Sequence, residues 1–320
     1  MKTVCVYHSV DLDGWMSAAI VKHWFNQQEV PNKEGEYCNT IDFIGYTYGQ
    51  PIPDLSEYDK VIMVDISFPK EEMEKLFNRN TKDEKNVIWI DHHISALREL
   101  HTPGVNYFIH GLLDTKLAAC ELAWSYFFPN EQMPEIVRLL GRYDCFGHKG
   151  TSEETEVLEF QYGARSVIYS MESAYASLCF CLVDIKEGNG QDLVGANYTR
   201  SIYRSGIAIY QYLCQEAKQT YKNGFPLNFM YPDTGVDTRT IVKGICINKE
   251  RFNPVNFGID YHKDGYDIVW SFHYANGKWN FSIYNDNGLV DCSEIAKCYG
   301  GGGHKGAAGF IIDDISKMGF

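Results

Sequence analysis

The chain has 320 residues, of which 45% are hydrophobic and 22% charged, and its formal net charge is −13. This length favours two domains with separate cores, and no run approaches the roughly 18 apolar residues that a membrane span needs. The negative charge argues against binding along long duplex nucleic acid, which needs a basic face. The composition therefore indicates a globular protein that binds neither membranes nor long duplexes.

The first 128 residues alternate between strand-like and helix-like runs. The strand-like runs are 3–7, 41–46, 60–65, 87–91 and 105–109, and the helix-like runs are 15–26, 70–79, 93–100 and 116–128. Strands separated by helices predict βαβ units in a parallel sheet. One more helix is predicted at 131–143. We therefore predict an α/β domain over residues 1–150, with a doubly wound, mainly parallel sheet.

The second half of the chain changes character twice. Residues 153–223 are mainly helical in pattern, with one long helix predicted at about 192–222, and 151–225 is interpreted as a helical connector. Strands are then predicted at 239–247, 267–274 and 278–285, a turn at Asn276-Gly277, a helix at 291–299 and a final strand at 310–312. These elements predict a smaller α+β domain over 226–320.

The cysteines and the N-terminus indicate a compartment. None of the ten cysteines forms a CxxC pair, and Cys179 and Cys181 lie in an apolar run. Buried thiols persist in reducing compartments. Residues 1–6 resemble a strand, not a signal peptide, because polar residues follow at once. We therefore predict a cytoplasmic protein.

Metal-binding residue types follow three of the predicted strands. They are His8 with Asp11-Leu12-Asp13-Gly14, then Asp65, then Asp91-His92-His93. In parallel sheets ligands bind at the carboxyl ends of the strands, so these side chains should meet. A carboxylate-dominated set suits Mn²⁺ or Mg²⁺. Asp11 and Asp13 would point the same way in an extended segment, and Asp65 suits a ligand that bridges two metals about 3.5–4 Å apart.

A glycine tract forms a second motif. Gly300–Gly303 is followed by His304 and Lys305, and the tract lies between a predicted helix and an apolar strand. Glycines let backbone N–H groups approach an anion closely, while His304 can donate a hydrogen bond and Lys305 adds charge. The pattern predicts phosphate recognition.

Together these motifs resemble the DHH phosphoesterase superfamily, in the branch with a C-terminal DHH-associated domain carrying the Gly-Gly-Gly-His element. The matching residues are His8-Ser-Val-Asp11-Leu-Asp13-Gly14, Val64-Asp65, Asp91-His92-His93, Arg142-Tyr143-Asp144, Gly300–Gly303-His304 and Ala307-Ala308-Gly309. Tyr143-Asp144 after a helix and the Asn-containing strand 244–248 are most similar to the short-oligonucleotide (nano-RNA) phosphodiesterases.

The resemblance implies a role for each matching residue. His8 and Asp11 would bind one metal, Asp13 and His92 the other, with Asp65 bridging. Asp144 would complete the second site, and His93 would face the phosphate or orient a ligand. The implied catalytic residues are Asp13, Asp65, Asp91, His92 and His93. The implied substrate contacts are His93, Gly301, Gly302, Gly303, His304, Lys305 and Tyr284.

The implied activity is hydrolysis of short oligonucleotides or linear dinucleotides to mononucleotides, by in-line attack of a metal-bound hydroxide. Two divalent ions are expected, Mn²⁺ first and Mg²⁺ second, and a homodimer is left open. Many relatives carry an arginine on the strand before the glycine motif. Here that stretch reads Phe281-Ser-Ile-Tyr284-Asn285, so it lacks the arginine that would clamp a phosphate. Tyr284 is one substitute, and Arg142, Arg165 and Arg204 are others.

Three other functions are weighed against this one. A phosphomonoesterase acting on a 3′-phosphorylated nucleotide such as pAp would use the same metals. A nucleotide-binding regulator without catalysis would not need so many carboxylates, which are costly to hold together without metal. A pyrophosphatase is disfavoured, because that branch lacks the Gly-Gly-Gly-His element.

Overall fold

The computed structural model of the chain describes residues 1–28, 39–100, 107–186, 194–230 and 241–318. Contacts between residues divide it into two compact units, Met1–Ile209 and Tyr210–Phe320. The predicted domain limits, 1–150, 151–225 and 226–320, stay predictions. Within the described ranges, no helix has an apolar stretch of the length that a bilayer crossing requires.

The first unit is built on a parallel sheet, which has four strands among the described residues: β1 Lys2–His8, β2 Thr40–Tyr46, β3 Lys60–Val64 and β4 Val87–Ile90. Their order is β2-β1-β3-β4, and every neighbouring pair is parallel. β4 is apolar and buried along its whole length, as expected for a strand that is covered on both faces.

Helices cover both faces of this sheet. They are α1 Leu12–Gln28, α2 Lys70–Phe77, α3 Ile94–Leu100, α4 Ala119–Phe127, α5 Glu135–Asp144, α6 Glu154–Ala164, α7 Met171–Lys186 and α8 Val194–Lys222, the last running into the second unit. Ile88 and Ile90 of β4 pack with residues of α1, α4 and α5, whereas Val87 and Trp89 pack with α2. The predicted α/β fold with a doubly wound parallel sheet is therefore confirmed.

Two local predictions for this unit differ from the structure. The predicted strand 105–109 lies partly outside the described residues, and 107–109 is not a strand. Instead, His110 forms an isolated parallel bridge with Ile88 of β4, and Leu113 forms another with Asp91. The second difference concerns Asp11 and Asp13, which do not form an extended segment. Asp11 Oδ1 accepts the Gly14 N–H at 2.9 Å, and such N-terminal capping lets α1 begin at Leu12.

The second unit is α+β. Its elements are β5 Phe225–Pro226, β6 Phe229–Met230, β7 Ile241–Val242, β8 Gly244–Asn248, β9 Ile268–Ala275, β10 Lys278–Tyr284, α9 Cys292–Cys298, β11 Gly302–Gly303 and β12 Ala307–Ile312, with 3₁₀ turns at Pro254–Phe257 and Ile315–Met318. Among the described residues the main sheet has the order β11-β12-β10-β9-β8-β5. It is antiparallel except for the parallel pair β8–β9. The predicted Asn276-Gly277 turn joins β9 to β10 with φ values of 54° and 77°, the positive values that a tight hairpin needs.

Candidate active site

The sheet order of the first unit places the strand-end residues side by side. β1, β3 and β4 are adjacent and parallel, so His8, Asp65 and Asp91-His92-His93 meet at one edge of the sheet. Asp11 caps the start of α1, Asp13 lies in its first turn, and the last residue of α5 is Asp144. Four separate segments of the chain therefore contribute to one centre: 8–13, 65, 91–93 and 144.

One set of ligand atoms in this centre comes from His8, Asp11 and Asp65, whose donor atoms all lie within 4.8 Å of one another. His8 Nδ1 is 2.7 Å from Asp11 Oδ2 and 3.4 Å from Asp65 Oδ2. The structure thus brings together the residues expected to bind the first metal and the expected bridging carboxylate.

A second set comes from Asp13, His92 and Asp144. His92 Nε2 lies 3.6 Å from Asp13 Oδ2 and 3.3 Å from Asp144 Oδ2. The same nitrogen lies 3.4 Å from Asp65 Oδ1, so Asp65 is adjacent to both sets. A third set, Asp65 with His92 and His93, overlaps the other two and makes His93 a further candidate ligand.

Several polar atoms of this centre are buried without a hydrogen-bond partner among the described residues: His8 Nδ1, Asp65 Oδ1, His92 Nε2 and Asp91 Oδ2. His8 Nδ1 is therefore not hydrogen-bonded to Asp11 Oδ2, although the two atoms are only 2.7 Å apart. Buried polar atoms are normally satisfied, because leaving them unpaired costs free energy. Imidazole nitrogens and carboxylate oxygens are ligands for divalent metals. The unsatisfied atoms therefore fit a centre built to hold cations.

The same crowding shifts the pKa values of the groups. Burial and the neighbouring Asp65 carboxylate raise the pKa of Asp13 to about 7. Burial and the charge of Asp13 also raise the pKa of Asp144. For the imidazoles burial opposes the charge, but nearby carboxylates outweigh it and raise the pKa of both His8 and His92 to about 10. Without metal, the centre therefore holds protons where cations would bind.

Asp91 is fully buried and faces its own two histidines. Its Oδ1 accepts the backbone N–H of His92 at 2.7 Å, the backbone N–H of His93 at 3.1 Å and the ring Nδ1–H of His93 at 2.8 Å. Asp91 is not in any of the three ligand sets found among the described residues. Its contacts are those of a residue that fixes the loop and the tautomer of His93.

Asp13 is held by a contact that the sequence patterns did not reveal. Its two carboxylate oxygens accept the backbone N–H groups of Ala119 at 2.9 Å and Cys120 at 2.7 Å. These N–H groups belong to the first turn of α4, where orphan donors and the helix dipole favour an anion. These two hydrogen bonds fix the orientation of the Asp13 carboxylate, although its partners lie more than 100 positions away in the sequence.

Tyr48 is a second residue near the centre that the motifs did not identify. Its ring centroid lies 6.2 Å from that of His8 and 6.5 Å from that of His93. Its side chain is 53% exposed, and partial desolvation together with the nearby Asp91 carboxylate raises the pKa of its hydroxyl to about 12. The position of Tyr48 just after β2 is the only signal in the sequence that could have indicated it.

The glycine tract of the second unit is engaged in the fold itself. The N–H of Gly300 and Gly301 donate to Lys297 and Ala296 at the end of α9, and that of His304 donates to Ala307. Gly302–Gly303 is β11, paired with β12. A Cβ on Gly301 would lie 2.1 Å from the Gly309 carbonyl oxygen, so close backbone packing explains this glycine.

The other predicted substrate residues of this unit lie on or beside the turn between β11 and β12, where Tyr284 pairs with Ala307. The side chains of His304 and Lys305 are exposed at the turn between β11 and β12. Tyr284 instead packs against the apolar cluster that includes Val269 and Ile245. The phosphate-binding roles of these residues and of Gly301–Gly303 stay predictions.

The fold and this centre define an α/β protein whose parallel strands end in a group of residues able to hold divalent metal ions. Residues 3–140 match the family model described as "DHH family, N-terminal domain". Over this part of the chain, the predicted resemblance to the DHH superfamily is confirmed. The match ends four residues before Asp144.

Other similarities span nearly the whole chain. The uncharacterized protein R106 of Acanthamoeba polyphaga mimivirus is 22% identical over 322 residues, covering 98% of this chain and 68% of that protein. The pGpG-specific phosphodiesterase PggH from Vibrio cholerae is 13% identical, with a TM-score of 0.39 over 99% of this chain and 95% of that one. The exonuclease RecJ bound to manganese is 16% identical, with a TM-score of 0.42 over 99% and 87%.

Proposed function

We infer that the chain is a phosphoester hydrolase of the DHH family that uses two divalent metal ions. The observation that carries this inference is the pair of interlocked ligand sets around Asp65. In these sets His8 Nδ1, His92 Nε2 and Asp65 Oδ1 are buried and have no hydrogen-bond partner among the described residues. Bound there, two divalent ions would supply Lewis-acid activation of water and neutralise charge on the phosphoryl group.

The protein's own residues hold this centre in place. His8, Asp11 and Asp65 would hold one ion, and Asp13, His92 and Asp144 would hold the other. Asp13 is oriented by the N-terminus of α4 and His93 by Asp91. Burial opposes protonation of His93, but the Asp91 carboxylate outweighs it and raises the pKa of the ring. A protonated His93 is a donor suited to negative charge developing on the phosphate.

The proposed substrate is a short oligonucleotide or a linear dinucleotide, cleaved to mononucleotides. The net charge of −13 supports a short substrate, because long nucleic acid needs an extended basic surface. The carboxylate-rich donor sets support Mn²⁺, with Mg²⁺ as the second choice. A cytoplasmic location is supported by the cysteines: none of the nine in the described ranges forms a disulfide.

The test is hydrolysis of a ladder of 5′-phosphorylated oligomers, two to ten nucleotides long, with added Mn²⁺ or Mg²⁺ and products separated by HPLC. We expect the shortest oligomers to be cleaved fastest. Asp13→Asn should abolish cleavage, whereas Asp83→Asn, an exposed aspartate elsewhere in the first unit, should leave it unchanged. Equal activity of both variants would contradict the assignment of the centre.

The same assay decides between the alternatives. Faster release of phosphate from pAp than cleavage of a dinucleotide would replace the phosphodiesterase by a phosphomonoesterase with the same centre. Binding of nucleotides with no turnover of any phosphoester, in protein shown to contain metal, would indicate a regulator instead.

A further inference from the structure

The carboxyl end of β2 lies at the same edge of the parallel sheet as the candidate metal centre. β2 pairs in parallel with β1, and Tyr46 is opposite His8 in that register. β1, β3 and β4 lead directly into members of the centre, whereas β2 supplies none of the three ligand sets found among the described residues. Ligands bind at the carboxyl ends of parallel strands, so the residues that follow β2 lie beside the same site without being needed to hold its ions.

A tight turn follows β2 and carries Tyr48. The backbone N–H of Gln50 donates to the carbonyl oxygen of Thr47 at 3.2 Å, and the side-chain oxygen of Gln50 accepts the N–H of Thr47 at 3.2 Å. Gly49 has φ 90°, the positive value that the third position of a type II turn needs and that favours glycine there. Tyr48 therefore projects from a hydrogen-bonded turn whose backbone conformation is fixed.

The ring of Tyr48 reaches the centre while more than half of the side chain stays exposed. Its plane is at 55° to that of His8, with the centroids 6.2 Å apart, and at 78° to that of His93, with the centroids 6.5 Å apart. Both imidazoles approach the ring at an angle, so neither is stacked on it. An exposed aromatic ring beside a polar centre offers a surface on which a planar group can stack.

We propose that Tyr48 stacks on the base of the nucleoside that adjoins the scissile phosphate. This inference rests on the proposed function, in which His93 donates to that phosphate. A base is separated from its phosphate by one sugar, so a ring that neighbours His93 is within reach of the base. Stacking uses the π-face that every base has and does not read its hydrogen-bonding edge. Tyr48 would therefore favour nucleotides over phosphoesters without a base, and would accept different bases.

Calorimetry with AMP and with ribose 5-phosphate, on the full chain with Mn²⁺ added, isolates the contribution of the base. The wild type should bind AMP more tightly than ribose 5-phosphate. Tyr48→Ala should weaken AMP binding by about fivefold or more, as expected for the loss of one base–aromatic stack, and should leave the affinity for ribose 5-phosphate unchanged. Tyr48→Phe keeps the ring and should retain most of the AMP affinity. Because the side chain is largely exposed, both variants should fold.

Tyr169→Ala is the matched control. Tyr169 is also an exposed tyrosine of the first unit, and it precedes α7 at the end where Asn26 donates to the hydroxyl of Tyr175. Asn26 is near the C-terminus of α1, whereas Asp13 is in the first turn of that helix. The start of α7 is therefore at the opposite end of α1 from the centre, and Tyr169→Ala should change neither affinity.

The outcomes separate the stacking role from the proposed activity. Equal AMP affinity of wild type and Tyr48→Ala would overturn the stacking role while leaving hydrolysis intact, and so would a wild-type affinity for AMP that does not exceed that for ribose 5-phosphate. A loss in Tyr48→Phe as large as in Tyr48→Ala would also overturn it, because the hydroxyl and not the ring would then make the contact. AMP binding that depends on the Tyr48 ring, in a protein that hydrolyses no phosphoester, would overturn only the proposed activity.

Discussion

Asp91 offers a sharp test of how the centre is held, because one oxygen accepts three hydrogen bonds. Asp91→Ala removes the acceptor for the backbone N–H groups of His92 and His93 and for the His93 ring. Asp91→Asn keeps an oxygen that can accept these bonds. It replaces Oδ2, which has no partner among the described residues, by an amide NH₂ and removes the charge.

The magnitude follows from these contacts. A buried donor left unpaired costs about 1–3 kcal/mol, and His92 and His93 are partly exposed, so water can relieve part of the loss. We expect Asp91→Ala to lower the free energy of unfolding by roughly 2–4 kcal/mol and Asp91→Asn by less than about 2 kcal/mol. A domain with about 5–15 kcal/mol of stability remains folded in both cases.

Urea unfolding of the metal-free protein measures these differences, and dinucleotide hydrolysis measures their effect on the centre. Displacing both histidines should lower kcat/KM of Asp91→Ala by about 100-fold or more, since catalysis is sensitive to shifts of about 1 Å. Asp91→Asn should lie between the wild type and Asp91→Ala in both assays. An Asp91→Ala protein as stable as the wild type, or an Asp91→Asn protein as unstable as Asp91→Ala, would refute the positioning role.

Three further predictions concern charge, pH and packing. Burial raises the pKa of Asp65, so Asp65→Asn should raise the thermal midpoint of metal-free protein at pH 8 by a few degrees while weakening Mn²⁺ binding at least tenfold; unchanged binding in calorimetry would contradict the shared ligand. The pKa of Asp13 is raised from 3.8 to about 7, so between these pH values the folded protein keeps the Asp13 carboxyl protonated whereas the unfolded chain does not. The stability that this proton gives the folded state is lost as the pH rises through 7. Since Mn²⁺ must displace this proton, the Asp13 proton alone should make the Mn²⁺ affinity rise about fivefold between pH 6 and 7, and a flat titration would count against this. Gly14→Ala would place a Cβ 2.1 Å from the His8 carbonyl oxygen, and we expect a loss of about 2–3 kcal/mol in urea unfolding; wild-type stability would show that the backbone can relax there.

The strand-end residues could be predicted because their positions depend on local patterns and one general rule. Buried apolar runs identify β1, β3 and β4, and parallel strands bring their carboxyl ends to one edge of the sheet. His8, Asp65 and His92 follow directly. Asp144 came from the family resemblance, because the end of a helix has no fixed place relative to a sheet until tertiary packing is known.

The remaining features depend on contacts that no local pattern encodes. The N–H groups of α4 that hold Asp13 are 106 and 107 positions away in the chain. The extended Asp11–Asp13 segment was a wrong prediction, because capping by Asp11 starts the helix earlier. The glycine tract packs closely against β12. Its backbone N–H groups donate hydrogen bonds within the fold, whereas the sequence pattern predicts that they bind an anion.

We propose that two divalent ions share one centre at the sheet edge of the first unit. The most direct measurement is anomalous diffraction at the manganese edge from crystals equilibrated with Mn²⁺. We expect two peaks, one within ligand distance of His8, Asp11 and Asp65 and the other within ligand distance of Asp13, His92 and Asp144. Manganese peaks located elsewhere, or none at this edge of the sheet, would contradict it.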